Sequence, residues 1–142
     1  MLIRGIIASN KSCEIKESNH TSSKAMWGNE ENAYNGVGTG GTVYINFSNV
    51  KKHLPSHILL GHELIHMRHM MKGTVARGEI TVDKYNAKGE KVGTETGKAE
   101  ELATVGLGGA AGGNAITENS LRKESGLPLR TYYSGFLNGG YI

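Results

Sequence analysis

The sequence predicts a single α+β domain over residues 1–142, with a small, mostly antiparallel sheet lying beside helices. Three observations lead there. The 142 residues suffice for one core and not comfortably for two. Strand-like alternation occurs in short separate stretches, one of them a hairpin pattern, among stretches of helical period. No internal repeat and no linker divides the chain, while glycine, at 21 residues, promises many tight turns.

Taken in order, the isoleucine-rich residues 2–8 read as a strand. Residues 9–42 are polar and glycine-rich with little periodicity, and 32–41 carry turn chemistry in Asn35-Gly36, Gly38 and Gly40-Gly41. Thr42-Val43-Tyr44-Ile45-Asn46-Phe47 alternates like a half-buried strand. The clearest helix opens at Pro55-Ser56, runs to about Lys72 and stops at Gly73. Its Ile58, Leu59, Ile65 and Met70 recur near one or two turns apart, so one face is expected to be buried, with Met67, Met70 and Met71 in the core. Residues 79–96 read as a hairpin turning at Asn86-Ala87-Lys88-Gly89, with Ile80, Val82 and Tyr85 on one arm and Val92 on the other. A second helix is expected over 98–107, broken by the run from Gly106 to Gly113. A third starts at Thr117, a hydroxyl N-cap, and ends at Gly126 and Pro128.

Composition narrows the function classes. Net charge is only +3 and, although the pI is near 9.0, there is no long basic block, Lys51-Lys52 being one adjacent pair. That speaks against a dedicated nucleic-acid binder. The single cysteine, Cys13, excludes a disulfide within the chain and lacks a Cys-His signature around it, so a passive thiol is expected. Apolar runs are too short to cross a membrane as a helix. The first residues lack the hydrophobic region and cleavage site of a Sec signal, so export would take another route, or the domain is cut from a longer toxin.

His62-Glu63-Leu64-Ile65-His66 lies on the clearest helix. A spacing of four puts both imidazoles on one face, so both can reach one metal ion. Glu63, about 100° further round the axis, borders that face and can take a proton without ligating. Neutral imidazoles with a carboxylate beside them are what zinc-assisted hydrolysis needs. Zinc requires a third protein ligand, for which Glu100 and Glu101 on the second helix are the candidates. The competing reading is two exposed glutamates favouring the dipole of that helix at its start. His69 is a further candidate ligand, though hydrogen bonding to backbone or a carboxylate suits it better. His20, His53 and His57 receive no role, and Trp27 is either a core plug or a cleft wall.

The stretch from His62 to His69, followed by Glu100-Glu101-Leu102-Ala103-Thr104-Val105-Gly106, resembles the paired active-site motifs of clostridial neurotoxin light chains. In that family the second glutamate of the pair is the third zinc ligand, about thirty-five residues after the second histidine, and the resemblance gives that place to Glu101. Ile116-Thr117-Glu118-Asn119 is similar to a segment whose glutamate stands behind the metal ligands, which assigns Glu118 the orienting of a ligand or of a site arginine. Arg130-Thr131-Tyr132-Tyr133 resembles an Arg-x-x-Tyr element whose arginine and last tyrosine stabilise the tetrahedral intermediate, which assigns Arg130 and Tyr133. The chain is far shorter than a light chain. It looks more like the compact zinc metallopeptidase effectors of bacteria, among them a type III secreted effector that clips host mitogen-activated protein kinases, and toxin domains of polymorphic-toxin and type VI spike proteins. Asn35 to Gly40, His62 to His66, Glu100 to Gly106 and Ile116 to Tyr133 carry this likeness; residues 1–30 and 79–96 do not.

The resemblance implies a minimal zincin-like fold, with an edge strand beside the helix that carries His-Glu-x-x-His and a second helix that carries the glutamate ligand. Residues 42–47 are expected to be that edge strand, pairing with an extended peptide; the alternative is a strand inside the sheet. The implied activity is that of a Zn²⁺-dependent endopeptidase, with Glu63 as general base to a zinc-activated water. It would act as a monomer, delivered without a Sec signal into a host cell or a competing bacterium. Its partners would be a protein substrate there, kinase-like or other, and a cognate immunity protein, with neither nucleic acid nor membrane. Two rival readings use the same residues: hydrolysis of a non-protein amide such as a cell-wall peptide, and a catalytically silent zinc module that binds a partner.

Overall fold

The computed structural model describes residues 2–19, 22–50, 54–110 and 115–133, which fall into two units, Met1–Val75 and Ala76–Ile142. Lys51-Lys52, His20, His53 and part of the run from Gly106 to Gly113 lie outside the described residues.

The first unit contains helices α1 (Leu2–Ile7), α2 (Glu30–Tyr34) and α3 (Ser56–Lys72). Its strands β1 (Cys13–Glu17), β2 (Lys24–Trp27) and β3 (Gly41–Ile45) are ordered β1-β3-β2, with β3 parallel to β1 and antiparallel to β2. α1, α2, β2 and β3 all pack against α3. Val43 and Ile45 alternate inward on β3, and with Ala33, Ile58, Ile65 and Met67 they are among the most deeply buried apolar residues. Each of the larger side chains stabilises the fold by roughly 1.5–3 kcal/mol through lost water contact.

α3 stops where its sequence says it should. Gly73 takes the left-handed conformation (φ 70°), and the N–H groups of Gly73 and Thr74 return to the carbonyls of Met70 and His69 at 3.1 and 2.9 Å. This is the Schellman arrangement, which satisfies carbonyls that a helix end would otherwise leave unpaired. The glycine-rich loop reinforces it: Thr39 N–H donates to Met70 O at 2.9 Å and Gly36 N–H to Gly73 O at 3.0 Å. A Cβ on Gly38 would overlap the Met71 carbonyl oxygen, so the close approach demands glycine.

Four expectations change here. Where a strand is expected over 2–8, Leu2–Ile7 form a helix: Leu2 and Ile6, one turn apart, take the inner side, while Ile3 and Ile7 are 53% and 77% exposed. Isoleucine's strand preference depends on the surface it meets, and packing against α3 overrides it. The polar stretch 9–42 holds β1, β2 and α2, strands too short and too exposed to show a clean alternation. Residues 42–47 are not an edge strand, because β3 is the centre of its sheet and Phe47 opens a short 3-10 helix; the edge strand packed beside α3 is β2. Every residue from Gly61 to Met67 is buried, which takes in the whole circumference of α3 instead of one face.

The second unit begins with an antiparallel hairpin, β4 (Glu79–Tyr85) and β5 (Lys91–Lys98), as expected. The Asn86 side-chain oxygen closes its turn by accepting from the N–H groups of Lys88 and Glu90 at 2.9 and 3.0 Å. β5 passes directly into α4 (Ala99–Val105), and the Ala99 N–H donates to Gly78 O at 2.9 Å. α4 ends at Gly106, where Leu107 N–H returns to Leu102 O at 3.0 Å. Leu102 and Leu107 join Val82 and Val105 in a buried cluster, against which Ile80 and Tyr133 pack. α5 (Glu118–Glu124) starts with a capping box: Thr117 accepts from Ser120 N–H, and Ser120 Oγ accepts from Thr117 N–H. Among the described residues no helix is long and apolar enough to cross a membrane.

Candidate metal centre and peptidase site

On α3 the 3.6-residue period brings His62 and His66 together. Their Nε2 atoms are 3.1 Å apart and their ring centroids 4.8 Å apart. Both rings are buried, and so is Glu63, at 7% exposure. Imidazoles held this way, with their nitrogens converging, share either a proton or a cation.

α4 presents the two candidate carboxylates differently. Glu100 is engaged in the fold: its Oε1 accepts from Ala76 N–H and its Oε2 from the Thr104 hydroxyl, each at 3.1 Å. Glu101 is grouped with His62 and His66 as residues that could hold a metal ion. A possible metal-binding triad therefore exists on these three residues. His69 is not a member of it, and its carbonyl is used in capping α3.

The segment 117–133 places the other three expected residues. Glu118 is fully buried between two arginines, accepting from Arg122 Nε at 2.7 Å and Arg130 Nη1 at 3.0 Å. Arg130, 4% exposed, also donates from Nη2 to the Tyr133 carbonyl at 2.7 Å, and its guanidinium lies 4.8 Å from the Tyr133 ring centroid. Asn119 clasps the Arg130 backbone from both sides, donating to its carbonyl at 2.9 Å and accepting from its N–H at 2.7 Å. Tyr132 turns elsewhere, with the Lys84 ammonium 4.4 Å from its ring centroid.

Three participants escaped the sequence reading. Arg122 stands four residues after Glu118 on one helix, a spacing that could have flagged the pair. Asn119 lies within the Ile116-Thr117-Glu118-Asn119 segment, which assigns it no role. Glu95 is buried on β5 and accepts from Tyr133 N–H at 2.6 Å, and nothing local marks it. Cys13 fits the passive reading, since burial pushes its thiol above the ordinary value and away from the reactive thiolate. Trp27 meets Tyr34 edge-on, with ring centroids 5.5 Å apart.

No curated protein and no solved structure matches the chain significantly. The Peptidase_M91 family, described as effector protein, matches it over residues 2–133. That span contains every residue of the triad and of the arginine–tyrosine network. The chain belongs to this peptidase effector family.

Proposed function

We propose that the chain is a zinc-dependent endopeptidase, delivered as an effector or toxin into a host cell or a competing bacterium, where it cleaves a protein. The observation that carries the reading is the triad of His62, His66 and Glu101. The Nε2 atoms of His62 and His66 stand 3.1 Å apart, close enough for both to reach one metal ion. Two imidazoles and a carboxylate suit zinc and leave one position for substrate or water, whereas calcium and magnesium favour all-oxygen sets.

His62, His66 and Glu101 would hold the zinc, which would supply Lewis-acid polarisation of the scissile carbonyl and a water of pKa lowered towards about 7. Glu63 takes the proton of the attacking water and returns it to the leaving nitrogen. The Tyr133 hydroxyl donates to the carbonyl oxygen as negative charge grows there. Arg130 adds positive potential and, through its bond to the Tyr133 carbonyl, keeps the tyrosine in place. Glu118 orients Arg130. An extended substrate would add to the edge strand β2, which packs beside α3. In this reading the chain works as a monomer, its protein substrate is kinase-like or other, and a cognate immunity protein would block the same residues. Nucleic acid and membrane have no part in it.

The test is to incubate the protein and its Glu63→Ala form with eukaryotic and bacterial lysates and to sequence all new N-termini. New termini from the intact protein alone are expected, and the responding lysate identifies the target kingdom. A zinc-loaded protein that generates none in either lysate would sink the reading and favour a non-protein amide or a binding role.

A further inference from the structure

We infer that Glu95 is a positioning residue for the tyrosine of the site, holding the Tyr133 backbone from one side while Arg130 holds it from the other. The inference rests on the peptidase reading above. Glu95 Oε1 accepts from Tyr133 N–H at 2.6 Å, and the Tyr133 carbonyl accepts from Arg130 Nη2 at 2.7 Å. Both polar backbone groups of one residue are thus bound by charged side chains, over distances at the short, charge-assisted end of the range. Both side chains are buried, Glu95 at 7% and Arg130 at 4% exposure, where solvent competes little. Glutamate is seldom buried without such a partner.

The two bonds restrain the peptide groups on either side of Tyr133. Its ring is confined as well, against Arg130 on one hand and the cluster of Val82, Leu102, Val105 and Leu107 on the other. A hydroxyl that has to meet a transient charge depends on placement to a fraction of an ångström. Glu95 touches no substrate in this scheme and acts through Tyr133. It also ties the β4–β5 hairpin, which carries no recognisable motif, to the chemistry.

The test compares wild type, Glu95→Ala, Glu95→Gln, Tyr133→Phe and the Glu95→Ala/Tyr133→Phe double variant. The substrate is a synthetic peptide spanning the bond that lysate sequencing identifies. Glu95→Ala should lose about 10–100-fold in kcat with KM within about threefold, since the interaction it supports forms only in the transition state. Glu95→Gln keeps an acceptor and should stay within about fivefold of wild type. In the Tyr133→Phe background, Glu95→Ala should cost less than about twofold more, because the two act as one unit. By NMR, the Tyr133 amide should exchange with solvent faster in Glu95→Ala than in wild type. Losses that multiply in the double variant overturn the inference, as do full activity of Glu95→Ala or unchanged exchange. If Glu95→Ala does not fold, Glu95→Asp, whose acceptor is drawn back by one methylene, replaces it with the same expectations. A zinc-loaded wild type that cleaves nothing overturns the peptidase reading instead, and amide exchange alone then decides whether Glu95 holds Tyr133.

Discussion

Replacing Glu118 by alanine should destabilise the protein more than almost any other single change. The carboxylate has no exposed surface and bridges Arg122 at 2.7 Å and Arg130 at 3.0 Å, with those side chains 1% and 3% exposed. Removing it leaves two buried guanidinium groups, which cannot lose their charge, without this carboxylate, while Arg122 keeps its bond to the Pro128 carbonyl and Arg130 its bond to the Tyr133 carbonyl. Breaking one buried pair costs about 3–5 kcal/mol, most of it the penalty for the partner left behind. At roughly 4 °C per kcal/mol for a chain of this size, the midpoint of thermal unfolding should fall by about 12–20 °C. An internal control is available in Lys91–Asp83, which has the same 3.0 Å separation as Arg130–Glu118 but side chains 54% and 48% exposed. Asp83→Ala should cost less than about 1 kcal/mol, because water and side-chain entropy cancel most of an exposed ion pair. Circular dichroism melts of both variants with saturating zinc and with chelator give the comparison. If Glu118→Ala melts within a few degrees of wild type while Asp83→Ala behaves as stated, the arginines have found other partners and the argument from burial fails.

Three further outcomes are expected. Glu101→Ala should weaken zinc affinity by at least about tenfold in a competition titration, whereas Glu100→Ala should leave affinity intact and lose about 1–2 kcal/mol of stability with its bonds to Ala76 and Thr104; the reverse pattern would exchange their roles. Gly38→Ala should cost about 1–3 kcal/mol in urea unfolding, from an unfavourable φ and the collision with the Met71 carbonyl. A variant as stable as wild type would mean that the loop can move away from α3. Cys13 should react with iodoacetamide more slowly than free cysteine at the same pH, since burial raises its pKa and reduces the thiolate. Faster alkylation would contradict the passive reading.

Much of the site was legible because its signals are local. Helix α3 declares itself through Pro55, its apolar period and Gly73, and the two histidines need nothing beyond one helical turn to converge. The hairpin was legible from Asn86 to Gly89, and the third helix from Thr117. What stayed hidden depends on surroundings. Residues 2–7 carry strand-forming side chains, yet α3 offers them a surface that suits a helix. Glu95 looks like one more exposed strand glutamate until Tyr133 arrives 38 residues later in sequence. The residues themselves leave Glu100 and Glu101 open, because adjacent helical residues differ by about 100° and about 1.5 Å and their heading is set by where α4 begins; only the family resemblance singles out Glu101.

The phase of α4 also limits how such a chain can vary in length. β5 hands over to α4 with no residue between Lys98 and Ala99, so strand register and helix phase are locked together. A residue gained or lost at this junction would turn every later side chain of α4 by about 100°, carrying Glu101 away from its heading. At the Asn86–Glu90 turn the same event needs only a new loop, since both strands can keep their pairing. Insertions and deletions in functional relatives should therefore gather at the hairpin tip and avoid the strand–helix junction.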